Sequence, residues 1–284
     1  MISAIDEAKL LKLTTAFLEE YNSQDSLRKY SRDSAGHGIA YLLNHEYGQI
    51  YLDTIQTYVP QARLAAGIRV LEFGCGAGMN LLHLLGLLEG RGINFDFACG
   101  TDFSASLIAA AGAEANRQFK ENCARRVRFV VARNENLIAE AAVGIGVSKE
   151  SLIGSFDLIF GVNTIRYGHR LRNVDRCVQD IRGLLRPGGT CIVIDMNAEF
   201  PAFRSRLRDW RRKDAEATYL PTLDEYAEPF SSTGFEILKK TNFCWIPHSA
   251  GSALTGIMNA LTPVLNVLAR NQAMRSLVIA RKPA

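Results

Sequence analysis

Val70-Leu71-Glu72-Phe73-Gly74-Cys75-Gly76-Ala77-Gly78 is the stretch on which the reading of this chain turns. Val70 to Phe73 is apolar except at Glu72, as a strand buried on both faces would be. Met79 to Leu88, which follows, reads as a helix. Between them, glycines at 74, 76 and 78 permit a tight turn and let a ligand approach the backbone closely. A helix start after such a turn offers free N–H groups to a carboxylate or phosphate. Alone the turn is weak evidence, because any α/β protein needs one and dinucleotide enzymes use it for pyrophosphate.

Around this motif, short apolar runs alternate with helical patterns, which predicts parallel strands joined by crossover helices. The strands are expected at Ile68 to Gly74, Phe95 to Asp102, Val127 to Val131, Phe156 to Val162 and Thr190 to Met196. The helices are expected near Met79 to Leu88, Ser104 to Glu121, Asn136 to Ala142 and Val174 to Leu185, the last stopped by Arg186-Pro187-Gly188-Gly189. The fold class is therefore α/β, a doubly wound sheet. A helix ending at Gly234, a strand from Phe235 and a final strand near Met274 to Ala280 complete it.

Residues 1–66 carry only helical spacing, through Leu10, Leu11, Leu13, Phe17 and Leu18 and again through Ile39, Tyr41, Leu42, Tyr51, Leu52 and Ile55. They read as a helical cap over a domain spanning 67–284. From Thr241 to Ala269 there is no Asp, Glu, Lys or Arg. Pro247, His248, Asn259, Pro263 and Asn266 interrupt the apolar run that a membrane span requires. The reading is a helical insertion at about 247–270, with Ser252, Thr255, Asn259, Thr262 and Asn266 opposite a wide apolar face. That face suits an apolar or lipid-linked acceptor, a membrane surface or a dimer contact. The run Arg204, Arg206, Arg208, Arg211, Arg212 and Lys213 reads as a solvated basic helix.

Composition excludes several classes. Of 284 residues, 48% are hydrophobic and 22% charged, which rules out disordered, collagen-like and disulfide-scaffold chains. Lys+Arg 33 against Asp+Glu 29 is too even a balance for a dedicated nucleic-acid binder. The six cysteines are scattered singly, so no metal site is expected and the thiols read as reduced core residues. With no apolar stretch and cleavage site in MISAIDEAKLLKL, the expected compartment is the cytoplasm.

Two further features sharpen the glycine turn. Asp102 ends the second strand, where a carboxylate can accept hydrogen bonds from both ribose hydroxyls of an adenosine, with Phe103 following as an adenine wall. Leu184-Leu185-Arg186-Pro187-Gly188-Gly189 precedes a strand ending Ile194-Asp195-Met196. With these residues in place, the sequence resembles the class I S-adenosylmethionine-dependent methyltransferases from about Tyr30 to Ala280. The resemblance implies a Rossmann-like, seven-stranded, mostly parallel sheet with its last strand inserted antiparallel, and S-adenosylmethionine as cofactor. It places Glu72 and the backbone of Gly74, Cys75, Gly76 and Gly78 against the methionine part, Asp102 on the ribose and Phe103 on the adenine. The acid common after the third strand is Arg133 here, and Asn134 is the substitute; Asn163 after the fourth strand completes the cofactor set.

Methyl transfer is an in-line displacement in which alignment supplies much of the rate. A base is needed only for a protonated nucleophile. In the loop Gly161 to Arg170, His169 is the first base candidate and Tyr167 the second, since histidine titrates near neutrality. Tyr30, His37 and Arg166 are the candidate acceptor-binding residues. The expected function is methylation of a small molecule, O-methylation preferred, by a monomer or homodimer. The loop Asn163-Thr164-Ile165-Arg166 lacks the Asn-Pro-Pro-Tyr pattern of base-flipping enzymes, which argues against nucleic acid. The alternatives are a non-catalytic binding or assembly module of the same fold, and an NAD-type oxidoreductase, disfavoured because the turn lacks the third glycine at its expected offset.

Overall fold

The structure is a computed structural model and describes residues 36–204 and 220–284. Its helices are α1 (His37–Tyr41), α2 (Gly48–Tyr58), α3 (Gln61–Ala66), α4 (Met79–Gly90), α5 (Ala105–Gln118), α6 (Leu137–Ile145), α7 (Ile165–Arg170), α8 (Val174–Leu184), α9 (Leu223–Ser232) and α10 (Ser252–Leu268), with further single turns between them. The strands are β1 (Ile68–Phe73), β2 (Phe95–Asp102), β3 (Val127–Val131), β4 (Phe156–Val162), β5 (Leu185–Met196), β6 (Glu236–Phe243) and β7 (Arg275–Arg281). They form one sheet in the order β3-β2-β1-β4-β5-β7-β6. β1 to β5 pair in parallel, and β7 lies antiparallel between β5 and β6. This is the Rossmann-like methyltransferase sheet the sequence implied.

Two hydrophobic layers sandwich the sheet. On one face α2 and α4 bury Tyr51, Leu52, Ile55, Leu81 and Leu85 against Val70, Leu158, Phe160 and Ile192. The Tyr51 ring lies 4.9 Å from that of Phe160. On the other, α6, α8 and α9 bury Leu137, Val178, Ile181, Tyr226 and Phe230 against Leu71, Phe73, Ile159 and Val193. A fully buried side chain of this size stabilises the fold by roughly 1.5–3 kcal/mol. The helices before β1 thus share the core of the sheet.

Three local readings change. Helix α8 ends at Leu184, and both Leu185, expected as its last residue, and Arg186 to Gly189, expected as a turn, belong to the start of β5. The reason is a partner: Gly188 N–H donates to the Lys282 carbonyl and Lys282 N–H to that of Gly189, extending the pairing beyond β7. Between α1 and α2 the chain makes a π-helical turn, Leu42–Tyr47. The insertion helix α10 docks through part of its polar stripe, with Met258 packed beside it. Thr255 is buried, Tyr41 Oη donates to Asn259 Oδ1 at 2.8 Å, and Trp245 Nε1 donates to Asn266 Oδ1 at 2.9 Å. Leu254, Ile257, Leu261, Val264, Val267 and Leu268 face solvent. The hydrogen-bonding partners on the body of the protein select the polar face. Among the described residues no helix is long and apolar enough to cross a membrane. The basic run from Arg206 to Lys213, Tyr30, and the apolar positions from Leu10 to Leu18 lie outside the described residues.

Candidate active site

A cavity of about 350 Å³ opens at the carboxyl ends of β1, β2, β3 and β4. In an open α/β sheet this is where ligands bind, at the point where strand order reverses. Its floor is the turn after β1, where Gly74, Gly76 and Gly78 all have positive φ, of 60°, 54° and 79°. Space is as restrictive as torsion: a Cβ on Gly74 would lie 2.0 Å from Thr164 Oγ1, and one on Gly78 2.8 Å from a Phe129 ring carbon. Gly74, Cys75 and Gly76 line the cavity. Burial pushes the Cys75 thiol far above its ordinary value, so it fills space as a neutral group. Glu72 sits beneath the turn and not on the cavity wall. It is fully buried, its Oε2 accepts from Leu81 N–H at 2.9 Å, and burial holds its carboxyl well above the usual range. It ties β1 to the first turn of α4 and so supports the turn from below.

Asp102 stands on the cavity wall at the end of β2. Oδ2 accepts from Gly76 N–H and Oδ1 from Ser104 N–H, both at 2.9 Å, so the carboxylate braces the glycine turn against the start of α5. Burial raises its pKa, opposed by the N–H groups of Ser104, Gly76 and Phe103. Three N–H groups occupy three of the roughly four acceptor positions of a carboxylate, which leaves one for a ligand hydroxyl. Phe103, Leu107 and Ala132 make the adjoining wall apolar, and Asn134 and Glu135 edge it. Asn134 Nδ2 donates to Thr164 Oγ1 at 3.0 Å. Arg133 is paired with Glu140 through its backbone N–H and guanidinium. Glu135 is an acid at the cavity that sequence reasoning passed over for Asn134. A tight glycine floor, a carboxylate with an acceptor position to spare, and an apolar wall edged by hydrogen-bonding groups fit an adenosine bearing a short zwitterionic chain.

The remaining cavity is largely apolar. Ile39, Leu42, Leu43 and Tyr47 line it from α1 and the π-helical turn, with Tyr167 and Leu171 opposite and His248 closing it. The wider π turn brings the neighbouring Leu42 and Leu43 to the same wall, and π turns recur at functional sites. Tyr47 Oη lies 3.5 Å from His248 Nε2, and burial pushes the Tyr47 hydroxyl up to about 12. Gly38 locks α1 onto the segment carrying His248: its N–H donates to Ala250 O at 2.9 Å, and a Cβ there would meet Pro247 O at 2.5 Å. Nothing local in the sequence marks His248 or Tyr47, because they meet only through this packing.

Tyr167 is on the wall, where its Oη accepts from Arg166 Nη2 at 2.9 Å. Arg166 lies off the cavity, with Nη1 donating to the fully buried Asp195 at 2.8 Å. His169 also lies off the cavity: its ring packs edge-on to Tyr226 at 5.7 Å and burial lowers its pKa. His37 is exposed outside it. Asn163 and Thr164 lie on the wall after β4. No group of three potential metal ligands occurs among the described residues.

A family model described as a methyltransferase domain matches residues 43–240. The chain belongs to that family, the class I S-adenosylmethionine-dependent methyltransferases, and its cofactor is S-adenosylmethionine. It is 28% identical over 247 residues to the non-reducing polyketide synthase mapC of Penicillium roqueforti, covering 84% of this chain and 9% of that protein. It is 29% identical over 134 residues to the citrinin polyketide synthase of Monascus ruber, covering 47% of this chain and 4% of that one. The chain thus spans under a tenth of the length of these relatives. The solved citrinin polyketide synthase CMeT domain superposes with a TM-score of 0.56 at 21% identity, covering 87% of this chain and 55% of that one. A methyltransferase from Mesorhizobium loti gives 0.54 at 18% identity, covering 84% and 99%.

Proposed function

We propose that this methyltransferase acts on an apolar carbonyl compound with an acidic C–H, forming a carbon–methyl bond. The observation that carries the reading is the composition of the cavity: one end built for adenosine, the other a largely apolar chamber with the imidazole of His248 on its wall. The similarity to polyketide synthases, one of them through a domain named CMeT, supports it. When bound, S-adenosylmethionine supplies a methyl group on a sulfonium. The chain's own work is to bind and align: Asp102 and the glycine turn hold the adenosine end, while Leu42, Leu43 and Leu171 exclude water from the acceptor. The proton on the acceptor carbon goes to His248, whose Nε2 lies 3.5 Å from Tyr47 Oη. The carbon electron pair then forms the new bond to methyl, and the pair of the broken sulfur–carbon bond stays on sulfur.

Methylation of a hydroxyl oxygen is the second reading. The loop histidine that pointed to it, His169, is packed against Tyr226, but His248 would serve a hydroxyl equally well. Incubation with methyl-labelled cofactor and the N-acetylcysteamine thioester of acetoacetate, followed by NMR of the product, separates the two. Label on the carbon between the carbonyls supports the first reading, and label on oxygen the second. His248→Gln is expected to slow either reaction by 100-fold or more, within the range of general base catalysis.

A further inference from the structure

Asn163 follows β4 in the left-handed region, with φ of 56°, a strained conformation for a residue with a Cβ. Its N–H donates to the Ile194 carbonyl at 2.8 Å, which anchors it to the end of β5. Its side chain meets an unusual partner. Arg275, 2% exposed at the start of the inserted strand β7, donates from Nη1 to Asn163 Oδ1 at 2.8 Å. Among the described residues this is the side-chain hydrogen bond of Arg275; no carboxylate lies within 4 Å, and its Nε is buried without a partner. A guanidinium so deeply buried opposite one neutral amide is a poor way to stabilise a strand, since desolvating the charge costs more than one such bond returns.

The pairing has a consequence for the amide. A guanidinium carries donors only, so Asn163 must turn its oxygen toward Arg275 and its Nδ2 away. Asn163 lines the cavity beside Thr164 and Tyr167, and its Nδ2 makes no hydrogen bond to the described residues. We infer that Arg275 locks the Asn163 amide so that Nδ2–H donates to the oxygen of the acceptor on which charge develops as its proton leaves. Asn163 is then a catalytic residue and Arg275 a positioning residue. The inference rests on the carbonyl-acceptor reading above and deepens it. A fixed donor favours a carbonyl or enolate oxygen and meets an amine nucleophile donor to donor. Removing one preorganised oxyanion donor typically lowers kcat by 100- to 1000-fold.

The test uses the full chain, saturated with S-adenosylhomocysteine and titrated with the acetoacetyl thioester. The Asn163 side-chain amide signal, assigned by its absence in Asn163→Asp, is followed by ¹H–¹⁵N NMR. The expected result is a downfield shift of one amide proton on adding the thioester. Asn163→Asp keeps a partner for Arg275 but presents an acceptor to the cavity, and methyl transfer is expected to fall on the order of 100-fold with S-adenosylhomocysteine affinity within about twofold. Arg275→Met, which frees the amide to rotate, is expected to lower kcat while KM for the thioester changes little. An Asn163 signal that stays put while other cavity signals move, or an Asn163→Asp rate within about threefold of wild type, overturns the inference. Label on oxygen with the Asn163 shift intact sinks only the carbon-acceptor reading; a silent Asn163 signal with label on carbon sinks only this one; no thioester-induced change anywhere sinks both.

Discussion

At the scale of single residues, the site depends on where a carboxylate or imidazole is held more than on what it is. Asp102 and Glu72 are both buried acids beside the glycine turn, yet only Asp102 reaches the cavity. Asp102→Ala is expected to weaken S-adenosylhomocysteine binding by about 1–3 kcal/mol, the range for hydrogen bonds to a charged group, as read by calorimetry. His169 makes the opposite case. Burial lowers its pKa from the ordinary 6.5, so the unfolded chain takes up the proton first as pH falls. The stability its neutral ring contributes is present above pH 6.5 and is lost as pH drops through the lowered folded value. His169→Phe, which can keep the edge-on contact with Tyr226, is expected to flatten the fall in melting temperature below pH 6.5 and to leave methyl transfer within about twofold. The wall residues Gly74, Cys75, Gly76, Asp102, Phe103, Asn134 and Asn163 were legible because each sits next to a strand end that periodicity marks. Tyr47 and His248 were not, because 201 residues of chain separate them and only the docking of α1 brings them to 3.5 Å.

At the scale of elements, periodicity revealed the longer helices but not which face each would bury, and it missed α7, whose residues Ile165–Arg170 read as part of a loop. The heptad-like spacing of Leu254, Ile257, Leu261, Val264 and Leu268 is as good an apolar stripe as that of α2, yet α2 buries its stripe and α10 does not. The difference lies in the partner surface, where Tyr41 and Trp245 offer hydrogen bonds to Asn259 and Asn266. Similarly, Pro187 and Gly188 are turn formers in isolation, and it is pairing with Lys282 that draws them into β5. The packing of α1 on the segment before α10 is a close backbone-to-backbone joint. Gly38→Ala would force a Cβ against two backbone carbonyls, a displacement costing roughly 1–3 kcal/mol. Because Gly38 adjoins the apolar chamber and not the glycine turn, the variant is expected to raise KM for the acetoacetyl thioester several-fold while leaving S-adenosylhomocysteine affinity unchanged. Loss of both together would mean that the two ends of the cavity do not behave independently.

At the scale of the whole molecule, the cavity is where the two hydrophobic layers and the strand order meet, so a ligand bound there is linked to global stability. The glycine turn belongs to β1 and α4 and Asp102 to β2, and a molecule held by both binds the folded chain alone. At a concentration 100 times its dissociation constant such a ligand stabilises by about 2.7 kcal/mol. For a domain of this size each kcal/mol raises the melting temperature by roughly 2–4 °C, so S-adenosylmethionine or S-adenosylhomocysteine should raise it by roughly 5–10 °C. NAD should leave it unchanged. The sheet order β3-β2-β1-β4-β5-β7-β6, with antiparallel β7 inserted, differs from the all-parallel order of dinucleotide enzymes, and the turn lacks their third glycine. In the Asp102→Ala variant the shift at the same ligand concentration should shrink, because the lost affinity and the lost stabilisation are one free energy measured twice. A shift that persists undiminished in Asp102→Ala would mean that the adenosine end is held without the carboxylate of β2, whatever the glycine turn contributes.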